Sequence, residues 1–198
     1  MNMKKNYMNK NYIKYLSGII NEEQFYFQEE GISVDTKENF KELLKYSKLL
    51  VGIFNLHEDE IRSIYGSDVG FSAMQNYLGK NADIFHGKLD ILITDLTTAM
   101  HHGIPALDRS ADRSKQNFRP AGAWDVNQLM PGMLSSLRSI LNGGKNSPLV
   151  KAIDAGHEAA STDRNAGKST MGDMFLHKVS QLNDGISKAT QEMARAAI

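Results

Sequence analysis

The sequence predicts a predominantly α-helical protein, an irregular multi-helix bundle with a long central loop and a C-terminal amphipathic helix. Three observations predict it. Phe175, Val179, Leu182, Ile186, Ala189, Met193 and Ala196 follow one another at steps of 4, 3, 4, 3, 4 and 3, which returns the side chain to one stripe of an α-helix in a coiled-coil pattern. Apolar residues recur at helical spacing through most of the rest, with capping residues before the runs and glycines after them. No pair of segments alternates apolar and polar residues as a half-buried hairpin would.

In chain order, Tyr12, Tyr15, Leu16, Ile19 and Ile20 mark a first helical face. Asn21 with Gln24 reads as a capping box for a short second element ending near Gly31, and Asp35 with Glu38 repeats that signature. Behind it Phe40, Leu43, Leu44, Ser47, Leu50 and Val51 predict a helix over 36–54. Asn55 with Glu58 starts another, stopped by Gly66, and Ser72 to Leu78 is a short helix closed by Gly79. From Ile84, the residues Leu89, Leu92, Ile93, Leu96 and Met100 keep helical steps, and Gly103 followed by Pro105 ends the run.

Residues 103–130 are the least regular part, with Gly103, Pro105, Pro120 and Gly122 and a local excess of Arg and Lys, so they read as a hinge or functional loop. Pro131 suits a first helical position, and Leu134, Leu137, Ile140 and Leu141 carry that helix to Gly143 and Gly144. Ser147 and Pro148 cap the next helix, through Val150 and Ile153 to roughly Ala160. A polar linker over 161–169 precedes the last helix, 171–197.

The 198 residues suffice for one ordinary domain or two small ones. Thirteen of the 16 aromatic residues lie in the first 100 positions. Residues 1–102 therefore read as an aromatic-rich helical core, with 103–130 the hinge and 131–198 an alanine-rich helical segment packed on that core or on a partner. Apolar residues at 41% and charged residues at 23% are globular proportions. The balance of 23 basic against 23 acidic residues gives no global field to steer nucleic acid or an anionic membrane. The chain has no cysteine, which excludes disulfides, thiolate catalysis and Cys-ligated zinc. The longest apolar run, 49–54, falls far short of the roughly 20 residues of a membrane span. Asn and Lys interrupt the first 20 residues where a Sec signal needs an unbroken apolar stretch. The compartment stays open between the cytoplasm and export by a specialised system.

Three constellations bear on chemistry. His101 and His102 precede Gly103-Ile104-Pro105, with Asp125-x-Asn127 and His157 downstream. Adjacent histidines before a proline with a later Asp-x-Asn resemble the His-His core of the HNH-type ββα-metal nucleases. The resemblance implies a divalent metal ligated by His101 and His157, with His102 as general base and Asn127 as orienting residue. That family has two closely spaced histidines in its final helix, whereas Ser161 stands one turn after His157. The plainer reading places both histidines in the last turn of a helix, where the macrodipole favours them.

Gly167, Lys168 and Ser169 match the end of a phosphate-binding loop, but Thr162 occupies the position of its first glycine and the preceding segment reads as helix. A linker ending in helix caps accounts for these residues. Lys4, Lys5, Lys10 and Lys14 stand among Tyr7, Tyr12 and Tyr15 with no acidic residue before Glu22, a pattern of either a solvated tail or a weak nucleic-acid contact. In the central loop Asp108 and Asp112 partly cancel Arg109, Arg113, Lys115 and Arg119.

The functional expectation is a non-enzymatic binding or assembly protein without a cofactor. It would be a structural or accessory subunit, or a secreted bacterial effector. Phe175, Val179, Leu182, Ile186, Ala189 and Met193 would make its oligomer or protein-partner contact. Gly185 weakens the isolated helix by about 1 kcal/mol relative to alanine, so the helix needs tertiary or subunit contacts to hold. The alternative is a metal-dependent HNH-like nuclease or toxin centred on His101 and His102.

Overall fold

Helix-forming periodicity becomes helix along nearly the whole described chain. The computed structural model describes residues 34–85, 87–109, 126–164 and 170–196, of which 34–37, 102–109, 126–128 and 196 by backbone alone. Among the described residues there are seven α-helices, one 3-10 turn and no strand. They are α1 (Val34–Leu56), α2 (Glu58–Tyr65), α3 (Asp68–Asn81), α4 (Leu89–Arg109), α5 (Val126–Leu141), α6 (Pro148–Thr162) and α7 (Met171–Ala196).

α1 forms because its inward positions, Phe40, Leu43, Leu44, Leu50, Val51 and Phe54, are apolar at helical spacing, and all are buried. Ser47 lies among them with its hydroxyl donating to the Leu43 carbonyl at 2.7 Å, which removes the cost of burying it. α5 ends where Gly143 and Gly144 take φ values of 100° and 58°, a left-handed turn that a side chain would strain. Ser147 then caps α6 by accepting from the Val150 amide, with Pro148 in the first turn.

Several expected boundaries move. α1 continues through Asn55 to Leu56, and α2 starts after His57, whose side chain makes no cap bond. α3 begins at Asp68, capped by Ser67, and passes through Gly79 to Asn81. α4 passes through Gly103 and Pro105 to Arg109, so the histidine pair is not in its last turn. Pro131 lies inside α5 instead of opening it. The expected loop 103–130 is thus helical at both ends, and 110–125 lie outside the described residues, as do the expected elements before Val34.

α3 and α6 run antiparallel at very close range. An added Cβ on Gly70 would stand 2.7 Å from the Ala160 Cβ, and one on Gly156 would stand 2.9 Å from the Met74 Cβ. The Ser67 hydroxyl, while capping α3, donates to Asp163 at 2.5 Å just beyond α6. α1 is tied to α5 by a two-point ion pair between Glu42 and Arg138. α7 begins at the end of α1, where Phe175 meets Phe54 edge-on at 5.1 Å and stacks on Tyr65 at 4.6 Å. From there it runs alongside α4 in the same direction, since Tyr65 also bonds Asp90 in the first turn of α4, and Gly185 reaches Met100 further along.

Candidate functional site

The C-terminal stripe is the first candidate surface, and it faces inward. Phe175, Val179, Leu182, Ile186 and Ala189 are buried, and Met193 is half-buried against the same core. Each large apolar side chain removed from water contributes about 1.5–3 kcal/mol, so this stripe is a principal part of what holds α7 in place. Gly185 has its reason here. A Cβ at that position would lie 2.9 Å from the Met100 Cβ and 3.2 Å from the His101 ring, so the glycine lets α7 and α4 approach. The helical penalty of the glycine is offset by that contact. Arg62 fixes the first turn of α7. Its guanidinium bonds Asp173 at 3.0 Å and also reaches Asp59 and Glu58 at 3.2 Å, while Gly172 lies against the Arg62 backbone. The hydrogen bond to Asp173 leads the effects that raise the Arg62 pKa.

The second candidate was the histidine group. His101 is half-buried in α4 with its ring beside Gly185 of α7. His157 stands exposed on α6, which packs mainly on α3 and α2, and its carbonyl accepts from the Ser161 hydroxyl at 2.8 Å. The two therefore point into different surroundings. The side chains of His102 and Asn127 lie outside the described residues. Among the described residues no group of three or more His, Cys, Asp or Glu is placed to hold a metal ion. The histidines sit on helix α4, where the nuclease pattern has a β-hairpin. The phosphate-loop reading loses its platform in the same way, since helix α6 precedes it, and 165–169 lie outside the described residues. The basic start also lies outside them.

One tyrosine organises the end of the bundle where α7 begins. The Tyr65 hydroxyl donates to Asp90 at 3.0 Å, and its ring packs on Phe71 as well as Phe175. Burial, with the Asp90 carboxylate adding to it, raises the Tyr65 pKa far above that of an ordinary tyrosine. That makes Tyr65 a neutral structural donor and ill suited to proton transfer.

Two apolar surfaces escaped the sequence reading. At the end of the bundle organised by Tyr65, Val69 opens α3 at 53% exposed, and Met171 and Met174 open α7 at 54% and 57%. Part of the signal was present, because Met174 falls off the 4-3 stripe that Phe175 begins, whereas Met171, one turn before Phe175, lies in line with that stripe. On α1, Tyr46, Leu49, Ile53 and Leu56 follow at steps of 3, 4 and 3. At about 100° per residue Leu49 and Leu56 lie on the far side of the helix from Leu43 and Phe54, while Tyr46 and Ile53 flank the buried face and pack against the core. Leu49 is 50% exposed and Leu56 81%, whereas Tyr46 and Ile53 are half-buried.

Among the described residues no helix is long and apolar enough to cross a membrane. No protein-family model, no curated protein and no solved structure matches the chain.

Proposed function

We propose that the chain acts by binding, as a non-enzymatic helical assembly protein: a structural or accessory subunit, or a secreted bacterial effector. The contact is made through the outward side of the first turn of α7, with the neighbouring start of α3, while the stripe of α7 holds the helix to its own bundle. The observation that supports this is the exposure of Met171 and Met174 on a turn held by Arg62, Asp173 and Gly172, with Val69 exposed in the first turn of α3. Exposed apolar groups gathered in one region mark interaction surfaces, and methionine adapts its shape to a partner at low cost. A fixed turn also reduces the ordering cost of association.

Sedimentation equilibrium over a wide concentration range tests the proposal together with photo-crosslinking from position 174. The expected result is self-association or a discrete crosslinked protein partner, reduced at least about tenfold by Met174→Lys with Val69→Lys at unchanged circular dichroism. A charge buried in an apolar contact accounts for a loss of that size. A strict monomer that crosslinks to no protein would sink it.

A further inference from the structure

We propose that Met171 and Met174 form an oxidation site, and that peroxide switches off the contact made there by converting both thioethers to sulfoxides. The switch rests on the contact surface proposed above, whereas the selectivity of the site rests on burial.

The methionines are sorted by position. Among the described residues Met74, Met100, Met130 and Met133 are buried, and Met193 is half-buried against the core. Only Met171 and Met174 are exposed, each by more than half, and they share the first turn of α7. The chain has no cysteine, so no thiolate competes with these sulfurs for the oxidant. In the reaction the thioether sulfur attacks one oxygen of hydrogen peroxide. The S–O bond forms as the O–O bond breaks, and the sulfur gives up two electrons to become the sulfoxide. The proton on the transferred oxygen passes to the departing hydroxide, which leaves as water. Peroxide must reach the sulfur, so the buried methionines react only when the bundle opens.

That sorting separates the fold from the contact. Met74 and Met100 stand where α3 meets Gly156 of α6 and where α4 meets Gly185 of α7, and a polar sulfoxide in either place would disrupt close packing. Burial protects both. The first turn of α7 is anchored by Phe175 on Phe54 and Tyr65 and by the Arg62–Asp173 pair, and neither anchor involves a sulfur atom. Oxidation there leaves the helix in place and changes its surface, because a flexible apolar group becomes a polar one. A partner shaped for two thioethers has to bury the new oxygens without donors. The same partner covers both sulfurs while it is bound, so association should slow their oxidation.

Full-length protein titrated with hydrogen peroxide and read by peptide mass spectrometry tests the site. Sulfoxide should form at 171 and 174 at least about tenfold faster than at 74, 100, 130 and 133, with circular dichroism unchanged. Equal rates overturn the proposal. Association of the same samples, by sedimentation or with the crosslinked partner, tests the switch. It should weaken at least about tenfold in step with sulfoxide at 171 and 174, and return after treatment with methionine sulfoxide reductases and a thiol. Met1, Met3 and Met8 lie outside the described residues, and a loss that follows their oxidation instead overturns the proposal. Met171→Leu with Met174→Leu, compared with its own untreated affinity, should not respond to peroxide, and a response equal to the parent's overturns it as well. A parent that binds nothing before oxidation refutes the contact reading, and the switch falls with it. A parent that associates equally well reduced and fully oxidised refutes the switch alone.

Discussion

Two stripes in this molecule share one spacing and have opposite surroundings. On α7, Phe175 to Ala189 at alternating steps of 4 and 3 is buried, whereas on α1, of Tyr46, Leu49, Ile53 and Leu56 at steps of 3, 4 and 3, Leu49 and Leu56 are exposed and Tyr46 and Ile53 are only partly buried against the core. The difference comes from what else each helix carries. α7 has one apolar face, with Ser180, Asn183, Asp184, Ser187 and Lys188 on the remainder, so only one orientation buries it. α1 has a wider set, from Phe40 to Phe54, which takes the inward arc and turns the second stripe outward. Alternating spacing therefore identifies an apolar face, and competition between faces of the same helix decides which is covered by the bundle.

The largest effect expected from this contrast is in truncation. Phe175→Ala should cost about 3–5 kcal/mol, because it empties a site packed by Phe54 and Tyr65. Leu56→Ala, at a site open to water on the described side, should change stability by no more than about 0.5 kcal/mol. Urea unfolding of both variants measures the gap. Equal costs would mean that the outer stripe is as deeply packed as the inner one.

A second comparison uses one substitution with opposite signs. Gly185→Ala gains helix propensity of about 1 kcal/mol but pushes a methyl group to 2.9 Å from the Met100 Cβ, an atom fixed to its helix backbone. The net result should be a loss of about 1–3 kcal/mol. Gly52→Ala, on exposed α1 with nothing within 4 Å of the new methyl, should keep the propensity gain, about 0.5–1 kcal/mol. Thermal melts that shift in the same direction for both would break the distinction between a glycine kept for close approach and one that is not.

Those glycines also show which parts of the fold were legible. The all-helical class, the α1 periodicity, the Gly143-Gly144 stop and the Ser147-Pro148 start were readable because pattern and punctuation agree there. Gly79 and Pro131 were misread as boundaries. Buried Leu78 and, around Pro131, buried Met130, Met133 and Leu134 continue the apolar pattern, and packing of that pattern outweighs a local penalty of about 1 kcal/mol for glycine or about 3 for proline. Gly103 and Pro105 show the same behaviour in the backbone of α4. The α7 stripe was legible as an apolar face, but its cover was not, since Phe54, Tyr65 and Met100 are 75 or more residues away in sequence. The exposed methionines were visible as residues and became informative only once Gly172 and Asp173 were seen fixed against Arg62.

The smallest expected effects are in pH dependence, and they divide along the same line between outer and inner faces. On the outer side of α1, the hydrogen bond from Arg138 holds the Glu42 carboxyl below its ordinary pKa. A depressed folded pKa adds stability above the unfolded carboxylate value, and that stability is lost as pH falls through the folded value. Glu42→Gln should therefore lower the melting temperature at pH 7 and converge with the parent in acid. Asp95, half-buried on α4, has the opposite sign, because burial raises its pKa. Its charged form is the one disfavoured by folding, so Asp95→Asn should raise the melting temperature at pH 7 and lose that advantage as the parent protonates. Surface pairs contribute less than core packing, so both shifts should fall well below that of Phe175→Ala. Melts at pH 7 and about pH 4 read the crossing directly, because a carboxylate held by a partner and one desolvated by packing must move apart at neutral pH and together in acid.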